Sequence, residues 1–233
     1  MGPRQAYVDV KRKQTFRSAF GRRLRKNRRG ATAAEFAIIL PALMGIAMGG
    51  IELVWMFVCN LQVNALALAV ADNASRMEQT NNTSVTPTVT TSDIANVMKG
   101  ALLEGASIGI QQKGKVILSS LERDPSTGRQ YIHWQRCAGS LTASSAYGNQ
   151  SNLNGLNGTT ITGMGAGATK VTAAAGSAVM FVEVVYQYEG IFGPLFTRPF
   201  TMKSEGAYMI RDIRNLGTAG TNPITGTGTG YAC

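Results

Sequence analysis

The sequence predicts an α+β fold in which a long N-terminal helix spans a membrane, continues as a spine and packs against a small antiparallel sheet. The run from Phe36 to Cys59 is almost wholly apolar, with Pro41 and Glu52 as its main interruptions. Good helix formers without Gly or Pro then extend the helical pattern to about Met77. Four β-prone segments in the rest of the chain predict the sheet.

The apolar run is long enough to cross a membrane. At about 1.5 Å per residue it exceeds a hydrocarbon core of about 30 Å. One helix over residues 31–77 would be about 70 Å long. Its outer part is therefore free to pack against the rest of the chain.

The net positive charge of the chain comes from residues 1–30. They hold eleven of the 23 Lys and Arg and only one of the 13 acidic residues, Asp9, so the rest of the chain is neutral overall. A nucleic-acid interface is expected as a basic patch interleaved with aromatic residues on a folded face. A basic tail beside an apolar helix instead indicates a cytoplasmic leader against anionic headgroups, and we expect no nucleic-acid partner.

The junction between this leader and the helix indicates a processing site. In a secretory signal peptide the small-residue cleavage site follows an apolar stretch of about 7 to 15 residues. Here the small residues Gly30 and Ala31 precede the apolar run. Cleavage after Gly30 would leave the helix on the mature chain, with the new amino group of Ala31 at the cytoplasmic membrane surface.

The junction resembles the processing site of type IV pilin-like proteins. Gly30 is followed five positions later by Glu35 and then by Phe36. The sequence is also similar to the opening of TadE-like pseudopilins, which belong to the Tad or Flp pilus assembly machinery of bacteria. That similarity is specific over about residues 30–76, and it rests on Ala34 to Pro41, Gly50-Ile51-Glu52 and Ala71 to Arg76.

The resemblance implies roles and partners for the junction. A prepilin peptidase would cut between Gly30 and Ala31, and Glu35 would pair with the amino terminus of a neighbouring subunit. Other pilin-like subunits and the pilus assembly platform would be the further partners, with Phe36 in the shared motif. From the residues alone, Glu35 is an interfacial carboxylate that the helix dipole stabilises.

Glu52 is the most unusual residue of the predicted membrane helix. It lies seventeen residues after Glu35, and a charge near the bilayer centre costs about 2.5 to 3.5 kcal/mol on insertion scales. Gly45 and Gly49 form a small-xxx-small pattern beside it, which permits close helix approach. Glu52 therefore either marks a packing site for a partner membrane protein or lies near the far interface and extends to water.

The chain beyond the helix predicts a polar linker over residues 78–91 and an outer α+β domain over residues 92–233. Ser92 has the chemistry of an N-cap for a helix that reaches about Leu103, and Gly105 would end this helix. The predicted strands cover residues 115–121, 129–136, 178–188 and 200–210, with a hairpin turn from Asp124 to Gly128 between the first two.

The segment near residues 138–177 is rich in Gly, Ser, Asn and Ala, and it predicts a flexible surface loop. It contains a glycine-rich stretch that ends at Lys170. A Walker A loop needs Gly-Lys followed by Ser or Thr, whereas Thr169 precedes this lysine. We therefore expect no bound nucleotide.

Catalytic chemistry has little support in the sequence. His133 is the single histidine, and no metal-ligand spacing or nucleophile and base pattern accompanies it. We interpret it as a half-exposed strand residue. The expectation is a protein that is not an enzyme and binds no cofactor or metal.

The cysteines predict one disulfide. Cys59 falls at the outer end of the apolar run, so Cys137 and Cys233 form the only pair that lies wholly in the outer domain. In an oxidising periplasm this pair should be joined, and the alternative is two free thiols. A bridge that closes so long a loop contributes about 4 to 5 kcal/mol in the chain-entropy model.

Together, the sequence and the resemblance predict a single-pass protein of the bacterial inner membrane, with a cytoplasmic leader and a periplasmic C-terminal domain. It would assist the assembly of a Tad or Flp pilus or a related secretion apparatus. Two alternatives stay open. One is an envelope protein or adhesin with an uncleaved leader, and the other is a membrane-tethered enzyme of unknown chemistry.

Overall fold

A computed structural model describes residues 29–77, 86–211, 213–228 and 231–233. The predicted leader up to residue 28 and residues 78–85 of the predicted linker lie outside the described residues. The chain divides into two compact units, Met1–Leu53 and Val54–Cys233.

The predicted long N-terminal helix is confirmed. Helix α1 runs from Arg29 to Ser75 and belongs to both units. Pro41 lies inside it and does not end it, although a helical proline removes one backbone hydrogen bond. The chain from Ile51 to Ser75 contains neither Gly nor Pro, which favours continuation of the helix.

Helix α2, Thr91–Glu104, begins with a capping box. Thr90 is the N-cap: its hydroxyl accepts from the backbone N–H of Asp93 at 3.3 Å, and the Asp93 carboxylate accepts from the Thr90 N–H at 2.8 Å. The prediction of Ser92 as N-cap is wrong, because the box needs an acceptor three residues later and Ala95 stands there. The predicted end at Gly105 is confirmed.

A four-stranded antiparallel sheet follows, which confirms the predicted α+β class. A 3-10 turn and the four-residue helix α3, Ile110–Lys113, lead into it. The spatial order is β2-β1-β3-β4, and all neighbours are antiparallel. The strands are β1 Gly114–Arg123, β2 Gln130–Ala138, β3 Ala178–Tyr188 and β4 Phe200–Met209.

One face of the sheet packs against helices in the second unit. Leu66 and Val70 of α1 and Met98 of α2 share a buried cluster with strand residues such as Leu118. The closest approach requires a glycine, because a Cβ on Gly206 would fall 2.4 Å from the carbonyl oxygen of Ala67. The outer half of α1 is therefore a core element of this domain.

The opposite face of the sheet is covered by the segment between β2 and β3. Ile161, Met164 and Ala173 of this segment are buried in a second cluster with Leu121 and Phe181. The sequence predicts a flexible loop here because its small and polar residues dominate the composition. The structure packs these three apolar side chains onto the sheet, and the flexibility of the rest of the segment stays a prediction.

Candidate functional site

Helix α1 presents exposed apolar side chains throughout the first unit. Between Arg29 and Leu53 the exposed fractions include 60% for Phe36, 78% for Ile38 and 73% for Ile46. A contiguous apolar surface is unfavourable in water and marks a contact with lipid or protein. Within the described residues, α1 is the one helix that is long and apolar enough to cross a membrane.

The predicted processing junction lies in the first turns of α1. The helix begins at Arg29, so Gly30 and Ala31 are already helical. A Cβ added to Gly30 would meet no atom within 4 Å. Glu35 and Phe36 are exposed. Three residues of the predicted site, Gly30, Glu35 and Phe36, are thus exposed among the described residues.

The small-residue pattern farther along α1 is only partly open. Gly45 is exposed, with no atom within 4 Å of an added Cβ, and Gly49 is half-buried. Glu52 is 2% exposed, so its carboxylate is covered within the chain itself. A contact between Glu52 and a partner stays a prediction, and a partner would reach this carboxylate only by displacing the groups that cover it.

The predicted disulfide between Cys137 and Cys233 is confirmed, with the two Cα atoms 4.9 Å apart. Cys59 is buried and lies outside the bridge. Next to the bridge, the N–H of Cys137 donates to the carbonyl of Tyr231 at 2.7 Å, and Arg136 pairs with Ala232. The C-terminus thereby covers part of the outer edge of β2, which protects that edge from pairing with another strand.

The C-terminal segment, described over residues 213–228 and 231–233, also contacts α1 and α2. In α2 the N–H of Thr91 donates to the carbonyl of Thr225 at 2.9 Å. Arg214 is 7% exposed and donates from Nη2 to the carbonyls of Ser75 and Met77, at 3.0 and 2.7 Å. A cation at this position satisfies carbonyls that lack helical donors and is stabilised by the helix dipole. Sequence reasoning missed Arg214, because it stands just before the Gly- and Thr-rich tail and belongs to no motif.

His133 is the extra residue of a β-bulge. Ser120 pairs with Trp134 and Leu121 with Ile132, so His133 has no partner on β1. A bulge changes the direction of a side chain, and here the imidazole of His133 lies within hydrogen-bonding distance of the Glu122 carboxylate. The ring is buried, which makes the prediction of a half-exposed histidine wrong: the C-terminal segment covers it.

Both ring nitrogens of His133 are occupied. Nδ1 lies 2.7 Å from Oε2 of Glu122, and Nε2 lies 2.5 Å from the carbonyl oxygen of Thr221. A carbonyl and a carboxylate both accept, so this geometry fits the protonated imidazolium. Burial alone lowers the pKa of His133, but the hydrogen bond and charge of Glu122 and the carbonyls of Thr221 and Thr218 raise it overall.

The arrangement around His133 is structural in character. Glu122 also accepts from the Tyr131 hydroxyl at 3.1 Å and from the Ser120 hydroxyl at 2.8 Å. The adjoining cavity of about 230 Å³ includes Thr221 in its lining, yet the imidazole has no nitrogen left to act as a base. The cluster links the C-terminal segment to β1 and β2.

Two carboxylates hold the segment between β2 and β3 on the other face of the sheet. Glu183 and Glu205 are directly opposite on β3 and β4. Glu183 accepts from the N–H of Ala146 at 2.8 Å, and Glu205 accepts from the N–H of Ala166 at 2.8 Å and the hydroxyl of Tyr147 at 2.6 Å. Burial raises the pKa of Glu183, and Oε2 of Glu183 has no hydrogen-bond partner among the described residues.

The fold and the junction define a chain with one candidate membrane helix and an α+β domain. The family model TadE-like protein matches residues 30–72, which confirms the predicted resemblance over the junction and most of α1. No curated protein matches the chain, and no solved structure matches it. The family match covers α1 up to residue 72 and ends before the sheet, so it bears on the helix and not on the rest of the second unit.

Proposed function

We propose that this chain is a pilin-like membrane protein that assists the assembly of a Tad or Flp pilus or a related secretion apparatus. The observation that carries the proposal is that two features fall on the same stretch of chain. The family match covers residues 30–72, and the first half of α1 within this stretch exposes its apolar side chains. The leader would lie in the cytoplasm, α1 in the bacterial inner membrane and the outer domain in the periplasm.

Processing by a prepilin peptidase is the first step of the proposed mechanism. Gly30 has open space around it, which is what an enzyme needs in order to approach the bond between Gly30 and Ala31. The cut removes the basic leader and leaves α1 as the membrane anchor. No reaction is assigned to the chain itself.

Processing is tested by co-expression of the full chain with a prepilin peptidase and mass analysis of the N-terminus. The expected product begins at Ala31, and Gly30→Leu should block the cut. Gly100→Leu is a matched control, because Gly100 is also helical with no atom within 4 Å of an added Cβ. An intact leader on the protein from its native host would favour the uncleaved-anchor function instead.

Assembly through the helix face at Gly45 and Gly49 is the second step of the proposed mechanism. Gly45→Leu fits the isolated chain, because nothing lies within 4 Å of an added Cβ. The substitution should therefore spare membrane insertion and outer-domain folding while it blocks close approach of a partner helix. Gly50→Leu, equally open but about 140° away around the helix, is the matched control.

Pilus output and crosslinking to partner subunits are the measurements for these variants. If Gly45→Leu abolishes pilus output and crosslinking while Gly50→Leu retains both, the result supports a packing face at Gly45 and Gly49. Equal behaviour of the two variants contradicts it.

Glu35 is proposed to pair with the free amino group of Ala31 on a neighbouring subunit. Glu35→Ala should reduce pilus output while the chain remains inserted and folded. Glu104→Ala removes another exposed helical carboxylate, located in α2, and should leave output unchanged. Wild-type output from Glu35→Ala would remove Glu35 from the assembly mechanism.

A further inference from the structure

The turn between β3 and β4 carries an apolar tip, residues 190–197. No charged residue occurs between Glu189 and Arg198. Ile191 is 52% exposed and Leu195 is 72% exposed. A run of exposed apolar side chains without any charge is unfavourable in water, and it marks a surface that contacts another apolar phase.

The tip has a defined conformation. A 3-10 turn covers Gly193–Leu195, and Gly193 has a φ of 61°, a conformation that favours glycine. The rings of Phe192 and Phe196 lie edge to face, with their centroids 5.9 Å apart. At the base, Glu189 forms an ion pair with Lys113 at 2.9 Å. The tip is thus a turn that is held at its base and exposes Ile191 and Leu195, while Phe192 is half-buried.

Two contacts within the second unit fix the direction of α1 along β4. Gly206 of β4 lies against Ala67, and Tyr186, the partner of Met202 on β4, lies within hydrogen-bonding distance of the Cys59 thiol. Eight helical residues advance about 12 Å, and four strand residues advance about 13 Å. These lengths agree, so α1 and β4 run in the same direction.

The same register places the tip at the end of the domain where Val54 lies. Phe200, the first residue of β4, lies two residues before Met202, and Trp55 lies four residues before Cys59. Both steps are about 6 to 7 Å along the chain axis, so Phe200 and Trp55 are about level. The tip precedes Phe200 in the chain. At this end α1 itself exposes Val54 and Phe57, each at 64%. These helix side chains belong to the candidate membrane span.

We propose that the β3–β4 tip inserts into the lipid interface beside α1, as a second membrane contact of the outer domain. The proposal rests on the membrane anchoring of α1 in the proposed function. Lipid is the occupant because the uncharged tip lies at the same end of the domain as the exposed apolar side chains of a candidate span. Apolar side chains such as Leu195 and Phe196 can be buried at the boundary between headgroups and acyl chains, and Arg198 at the base of the tip can reach the headgroups.

Depth-dependent quenching in proteoliposomes of the full chain tests this insertion. Leu195→Cys, labelled with an environment-sensitive fluorophore, is compared in lipids that carry a nitroxide near the glycerol or near the chain terminus. Ile213→Cys is the matched control, since Ile213 is 85% exposed and neighbours Arg214 at the opposite end of α1. Leu43→Cys reports the anchor, and the unsubstituted chain gives the background from Cys59.

The label at position 195 should be quenched most by the shallow nitroxide, because interfacial segments sit about 5 to 10 Å deep. The label at position 213 should be unaffected, and the label at position 43 should respond to the deep nitroxide. Quenching at position 43 without quenching at position 195 overturns the insertion of the tip and leaves the anchor intact; it would assign the tip to a protein partner or to water. Absence of quenching at position 43 overturns the anchor, and the proposed function with it.

Discussion

The two halves of helix α1 are equally helical, but their leucines have opposite environments. Leu43, in the first unit, is 53% exposed, whereas Leu66, in the second, is 1% exposed. The sheet covers the apolar face of the second half, and that half has a polar side on which Asn64 donates to Asn60 at 3.1 Å. Apolar composition therefore predicts that the side chains of a segment are shielded from water. Only the fold shows whether other parts of the protein shield them or whether they are left for lipid or a partner.

The largest expected effect comes from the disulfide, which belongs to the second unit alone. Joint replacement of Cys137 and Cys233 by Ser should lower the unfolding free energy of the outer domain by about 4 to 5 kcal/mol. Membrane insertion should stay unchanged, because the first half of α1 lies outside the closed loop. Urea unfolding in micelles and carbonate extraction of membranes are the measurements. Loss of insertion at normal protein levels would mean that the two halves depend on each other.

A pair of leucine truncations compares the two halves directly. Leu66→Ala should destabilise the outer domain by about 2 to 5 kcal/mol, because it opens a cavity in a packed core. Leu43→Ala should change the same unfolding free energy by less than about 0.5 kcal/mol. Urea unfolding of both variants decides this, and equal destabilisation would contradict the proposed difference between the halves.

Charge substitutions compare the same halves in the membrane. Leu43→Arg should oppose insertion by about 3 kcal/mol, or about 100-fold in the apparent insertion equilibrium. Leu68→Arg, at a position that is 48% exposed in the second half, should leave insertion unaffected. The fraction of chain that resists carbonate extraction is the readout. Insertion of Leu43→Arg at the level of the unsubstituted chain would refute a membrane environment for the first half.

The smallest expected effect is a pH dependence that only the outer domain contributes. The pKa of His133 is raised in the folded state above its ordinary value of 6.5, so the folded chain holds the proton more tightly. The contribution to stability is therefore complete below about pH 6.5 and is lost as the pH rises through the folded pKa. We expect an effect of about 1.5 to 3 kcal/mol, as for hydrogen bonds to charged groups.

Urea unfolding of the full chain from pH 6 upward measures this dependence. His133→Gln should reduce the slope, because Gln does not titrate and can still donate to Thr221 or Glu122. An unchanged slope in this variant would assign the pH dependence to another group.

The elements with strong local signals could be predicted from the sequence. Strand β3 has the predicted bounds 178–188, because its run of β-branched and aromatic residues is dense. Helix α1 follows from its composition. The disulfide follows from the assignment of Cys59 to that apolar helix, although the structure buries Cys59 in the core of the second unit. Strand β3 and helix α1 are each predicted from one short stretch of sequence, and the disulfide is predicted from the positions of only three cysteines.

The features that the sequence did not show depend on distant contacts. His133 is buried because Thr221, 88 residues later, accepts its hydrogen bond, and a bulge leaves no mark in the strand pattern. The segment between β2 and β3 packs through only a few apolar residues, such as Met164. The many small and polar residues around them hide this pattern in the sequence. Glu183 and Glu205 lie in strands, and nothing local shows that they receive N–H groups from that segment.

The bond between Cys137 and Cys233 also sets how the chain responds to force. It joins residues that are 96 positions apart, and the ring it closes contains β3, β4 and the segment before them. Tension applied between α1 and Cys233 can extend only the chain before Cys137. About 300 Å of contour length, at about 3.3 Å per residue, therefore cannot be extended while the bridge is intact. Under load the domain lengthens less than it would with the two cysteines reduced.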